Sequence, residues 1–173
     1  MTSIWAESVA RSLDEALGLL AAAVQDCSDV LWVTPMWTVP DPDGVGVLMQ
    51  RHSMPWGVAW HALECVDYDL TGELGPWSPP APFAGHPHWR DLTLLDVAWS
   101  RLDVLAYIEH CRERVRVSVA EMSDAQGSTL LPVAHRYAGQ PHARVITSLV
   151  GHTSEHAAQI RQFIAAAAIT PDS

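Results

Sequence analysis

Lysine and asparagine are both missing from this 173-residue chain, and all ten basic residues are arginines. A Walker-type phosphate loop needs its lysine and a Schiff-base enzyme needs an amine, so both classes are excluded. Without asparagine there is no N-glycosylation signal. Cysteine is sparse: Cys27, Cys65 and Cys111 stand far apart, make no CxxC and are odd in number. They predict reduced, packed thiols rather than a disulfide framework. No apolar run reaches the eighteen or so residues of a membrane span. Residues 1–7 lack the basic and apolar regions of a secretory signal, which predicts a soluble, cytoplasmic protein. Twenty acids against ten arginines give a formal charge of −10. That surface repels phosphate backbones, so neither nucleic acid nor membrane is an expected partner.

What is present reads as one helical domain spanning residues 1–173. Apolar residues make up 49% of the chain, enough for a packed core. From about Ser3 to Ser28, Val9, Leu13, Leu17, Leu20 and Val24 recur at helical spacing. Pro35 to Gly46 breaks the pattern. A second helix is expected from near Ser53, a potential cap, with Pro55 in its first turn, to just before Gly72. Residues 75–90 are too rich in proline for helix, and a loop of that length is more often functional than idle. A third helix is expected from about Leu94 to Met122, with Leu95, Leu102, Leu105, Ile108 and Val115 buried. A fourth runs from Pro141 to about Ala168. Only Val45–Val47 hints at a strand. Four long helices with one apolar stripe each predict an all-α four-helix bundle.

His152 and His156 stand four apart in the fourth helix, so both imidazoles leave the same face. That spacing lets a helix offer two nitrogens to one metal ion; two solvated or capping histidines are the alternative. The metalloprotease HExxH is absent, because Thr153 follows His152. Gln159 lies on roughly the same face. His61 sits in an apolar helix between Trp60 and Leu63, where a lone histidine is more often a core residue than a ligand. In a bundle, however, helices two and four can face each other and build a site between them.

The aromatic segment around His61, Trp56 to Leu70, together with His152-Thr-Ser-Glu-His156-Ala-Ala-Gln159-Ile160, resembles the DinB/YfiT-like superfamily, over nearly the whole chain. The family's C-terminal motif commonly reads HxxxHxGQI; here Ala158 replaces its glycine. The resemblance implies a four-helix bundle whose metal triad is His61, His152 and His156, holding zinc, nickel or another divalent ion. Three imidazoles leave a coordination position open, as a Lewis-acid site requires. They suit several divalent metals and do not select one. The resemblance also implies a metal-dependent transferase acting with a low-molecular-weight thiol such as mycothiol on a small electrophile, or an isomerase or hydrolase. The alternative is a non-catalytic, stress-related bundle that binds a small ligand, with the metal structural or absent. A homodimer is expected for such folds.

Several further residues have two readings each. Tyr68 is a candidate hydrogen-bond donor to substrate, or a core residue with its hydroxyl at the rim. Glu64 is a candidate base, or a solvated charge; Cys65 lines the cavity, or packs. Gln159 orients a ligand, or bonds to backbone. His86 and His88 are a fourth ligand or lid contact, or solvated loop histidines. Trp37, Trp77 and Trp89 wall a pocket, or pin loops to the bundle. Arg112, Arg114 and Arg116 are expected as a solvated patch pairing with Glu109 and Glu113.

Overall fold

The computed structural model describes residues 3–38, 52–71, 78–88 and 98–169. The fold is all-α. Among the described residues the only β pairing is an isolated bridge between Leu130 and Pro141. No described helix is long and apolar enough to cross a membrane.

Helix α1, Ile4–Asp26, buries Leu13, Leu17, Leu20 and Val24 as the spacing predicts, and adds Ala6, Ala10, Ala16 and Ala23. These alanines let neighbouring helices approach closely. A short α2, Asp29–Trp32, is capped by the Ser28 hydroxyl, which accepts from the Leu31 amide at 3.3 Å. Helix α3, Pro55–Thr71, opens on proline, whose missing N–H costs nothing in a first turn. The Ser53 hydroxyl donates to the Trp37 carbonyl at 3.2 Å.

Helix α4, Arg101–Arg114, starts later than the expected Leu94. Ser100, itself in an extended conformation, caps the helix and accepts from the Asp103 amide at 3.1 Å. Leu102 departs from the expected buried face, while Ile108 and Val115 keep to it. Leu102 is 78% exposed, and the core side is Val104, Tyr107, Ile108 and Cys111, continued by Val115 and Val119 in a π turn, Val115–Val119. Leu95, the hinted strand Val45–Val47, Trp77 and Trp89 lie outside the described residues. The short α5, Asp124–Gly127, carries a reciprocal capping box between Ser123 and Gln126. Helix α6, His142–Ile169, follows Pro141.

Helix α1 packs on α6 and α4, and α3 packs on the same two. Each of the four long described helices therefore has two principal neighbours around a common core. Helix α3 is the most enclosed. From Pro55 to Leu70 every residue is buried except His61 and Tyr68. These two lie seven positions apart, on one face, and mark the side of α3 that reaches the surface.

Three acids of α3 face inward. Glu64 accepts from Trp60 Nε1 at 2.9 Å and lies 3.5 Å from His88 Nδ1. Asp67 accepts from the Tyr107 hydroxyl at 3.0 Å and pairs with Arg114, with His110 Nε2 at 3.4 Å. Asp69 pairs with Arg136, with His135 Nε2 at 3.7 Å. The solvated reading of Glu64 is thus corrected: it is 7% exposed, and a buried charge keeps its place only with partners. The expected arginine patch divides. Arg112 pairs with Asp14 and Glu109, Arg116 with Glu113, while Arg114 reaches the buried Asp67. All three cysteines are free and buried.

Candidate metal centre

Because α3 packs against α6, His61 meets the two histidines of α6. His61 Nε2 lies 3.2 Å from His152 Nε2, which lies 3.1 Å from His156 Nε2. One nitrogen from each ring falls within 4.8 Å of the other two. Two nitrogens each about 2.0–2.1 Å from one ion would stand about 3.4 Å apart at the tetrahedral angle and about 2.9 Å apart at a right angle. The observed separations fall between these values.

Tautomers explain why this cluster fits a cation. His156 Nδ1 donates to Gln159 Oε1 at 2.9 Å, so the neutral ring presents a bare lone pair at Nε2. His152 Nε2 sits between His156 Nε2 and His61 Nε2 and, as a donor, could serve only one of them. Its own Nδ1 is buried and has no hydrogen-bond partner among the described residues. A proton at Nδ1 leaves converging lone pairs; a proton at Nε2 leaves a buried acceptor unsatisfied. A divalent ion removes the first conflict, because three neutral imidazoles can all point lone pairs at it.

Burial holds the His61 and His152 rings in the neutral form. His61 is pushed down to about 3, first by desolvation and then by His156 and His152. His152 is pushed down to about 4 by desolvation, then by His156 and Arg136.

His61 and His152 open onto a cleft of about 290 Å³. Cys65, one turn along α3, places its sulfur 3.7 Å from His61 Nδ1, and burial pushes its thiol pKa up against the pull of Arg136. Arg136, Tyr137 and Ser148 supply the polar part of the opposite wall. Tyr68 is not among the described lining residues. It stacks on His135 at 5.5 Å between ring centroids and lies under the Arg136 guanidinium at 5.8 Å. Gln159 contacts His156 rather than the cleft. The loop histidines stand apart from the cluster, His86 edge-on to Trp99 and His88 beside Glu64. Trp37 is 45% exposed and receives Ser53 at its carbonyl.

Sequence reasoning missed Arg136. Its one signal was a cation between two rings, His135-Arg136-Tyr137, in a connection otherwise rich in small residues. No family model, curated protein sequence or solved structure matches this chain.

Proposed function

We propose that the chain is a four-helix bundle of the DinB/YfiT type that binds one divalent ion, zinc or nickel, through His61, His152 and His156. We infer further that it transfers a low-molecular-weight thiol, such as mycothiol, to a small electrophile. The observation that carries this reading is the convergence of three Nε2 atoms beside a cleft that His61 and His152 line, with the outer nitrogen of His156 held by Gln159. When bound, the ion supplies Lewis acidity toward a thiol or water.

The chain's own residues do the rest. The three imidazoles hold the ion, and Gln159 fixes the tautomer that lets His156 do so. Leu149 and the apolar body of α3 exclude water from one side of the cleft, and Tyr137 lines it, while the Ser148 hydroxyl donates to the Val145 carbonyl at 2.7 Å and keeps only lone pairs for a ligand. The same chemistry would serve an isomerase or hydrolase. A second reading, a non-catalytic ligand-binding bundle, is favoured by one feature: among the described lining residues there is no carboxylate to act as a general base. Pairing of two copies through an apolar face is part of the proposal; light scattering at twice 18.9 kDa would support it and a monomeric mass would refute it.

Elemental analysis of the wild type beside His61→Ala/His152→Ala is the direct test. About one ion per chain, lost in the variant, with melting raised by zinc or nickel, supports the centre. No metal in either protein, and no response of melting to added ions, overturns it. A thiol-transfer assay on the loaded protein then separates enzyme from binder.

A further inference from the structure

We propose that Arg136 sets the ligand class of the cleft: a small molecule bearing a carboxylate, bound by the guanidinium while the rest of the molecule points to the histidines. This rests on the reading of the histidine cleft as the substrate site.

The charge pattern is the first argument. In a chain of net charge −10, the described lining of this cleft holds a guanidinium and no acid. The second is the way the side chain is held. Arg136 Nε donates to Asp69 Oδ1 at 3.2 Å and Nη2 donates to Asp69 Oδ2, and the Asp69 side chain is fully buried. The Tyr137 ring lies 4.9 Å from the guanidinium carbon. One edge of the fork is therefore fixed inside the protein. The remaining nitrogen, Nη1, lies 3.7 Å from Cys65 Sγ, and that sulfur is 3.7 Å from His61 Nδ1.

A thiol is a weak acceptor, and among the described residues Nη1 has no other partner. An anion arriving in the cleft would improve that contact without moving the arginine, and an immobile binding group loses little entropy on binding. Access is open, because 39% of the Arg136 side chain is exposed.

Carboxylate is favoured over phosphate on charge. A phosphate group brings about −1.5 to −2 at neutral pH. The lining offers one guanidinium with Nε and Nη2 engaged by Asp69 and only Nη1 to spare, which suits one carboxylate oxygen better than a dianion. Tyr137 also lines the cleft, whereas the Ser148 hydroxyl is committed to the Val145 carbonyl at 2.7 Å and is not a donor to the ligand. The volume, near the lower end of small-molecule sites, limits the occupant to a small organic acid or to the acid-bearing end of a larger molecule.

The test is a chemical-shift titration of metal-free and zinc-loaded protein with propionate, succinate and benzoate, beside propionamide and benzamide. At least one acid should bind saturably to the metal-free wild type, with the amides at least about tenfold weaker. Arg136→Gln should weaken the acid by at least about tenfold. Because that variant leaves the buried Asp69 without its guanidinium, Asp69→Asn/Arg136→Gln is measured as well, with its fold checked by circular dichroism. Retention of acid binding within twofold in the folded double variant, equal binding of acids and amides, or no acid binding to the wild type would each overturn the proposal. Arg136-dependent binding in a protein that takes up no metal would leave this inference standing and sink the metal centre alone.

Discussion

Gln159 accepts a hydrogen bond from His156 Nδ1 at 2.9 Å, one turn along the same helix. The contact lies on the far side of the ring from the nitrogen that faces His152. Groups that fix the outer nitrogen of a metal-bound imidazole contribute tenfold to a hundredfold in affinity. Gln159→Ala is therefore expected to weaken zinc binding by about tenfold or more while leaving helix content unchanged. Competition against a chelating dye measures it, and an unaltered affinity would remove Gln159 from the site.

The unloaded protein should be sensitive to acid in a defined window. His61 and His152 are held at about 3 and about 4, and His52 and His135 are lowered by burial as well. In the unfolded chain these rings take up protons near pH 6.5. Between about pH 6.5 and 4 the unfolded state binds more protons, so stability is complete above that range and falls as pH drops through it. Melting of metal-free protein should hardly change from pH 8 to 7 and should decline by pH 5. A midpoint that stays constant down to pH 5 would contradict the burial of these rings.

Arg114 and Asp67 form an ion pair in which Asp67 is fully buried. Removing one partner of such a pair costs about 3–5 kcal/mol, because the other charge is stranded. Arg114→Ala should be destabilising on that scale, and Tyr107→Phe, which removes one hydrogen bond to the same carboxylate, by about 1 kcal/mol. Adding Asp67→Asn to Arg114→Ala should recover part of the loss. Urea denaturation of the four proteins would decide it, and equal costs for Arg114→Ala and Tyr107→Phe would rule out a charge effect.

Three glycines should respond to alanine in opposite directions. A Cβ on Gly127 would lie 2.3 Å from Trp5 Cζ2, and the indole is tethered by Nε1 donating to Asp124 Oδ1 at 3.0 Å. Gly127→Ala is expected to cost about 1–3 kcal/mol through overpacking. Gly18 and Gly151 lie inside helices with nothing within 4 Å of an added Cβ, so alanine there should stabilise by about 0.8–1 kcal/mol. Gly151→Ala precedes His152 directly, and a changed metal content in that variant would show that the α6 backbone must yield there. Thermal melts rank the three.

How much of this was legible depends on sequence distance. His152 and His156 could be read as a pair because helix geometry relates positions four apart. The stripe of α1 was read correctly for the same reason. His61 is 91 positions from His152, and only the resemblance linked them at the sequence level. Arg136 pairs with Asp69 across 67 positions and Arg114 with Asp67 across 47. Apart from the two rings that flank Arg136, nothing local distinguishes those arginines from solvated ones. Leu102 was misplaced because it falls in the first turn of the helix that Ser100 caps and is left uncovered there, while Ile108 and Val115 of the same expected face are buried. The buried acids of α3 were hidden by their own chemistry: Glu64 looks solvated until its partners arrive from other segments.

The 91-position separation of His61 and His152 also bears on the order of events in the life of the chain. A pair of histidines on one helix is available as soon as that helix winds. The third ligand arrives only when α3 docks on α6, a contact between distant parts of the polypeptide. An ion held by all three is therefore a late acquisition, and its rate of uptake would report the completion of tertiary assembly rather than the formation of helix. Once in place it would act as a clasp across that long stretch, so chelation should accelerate unfolding by releasing α3 from α6.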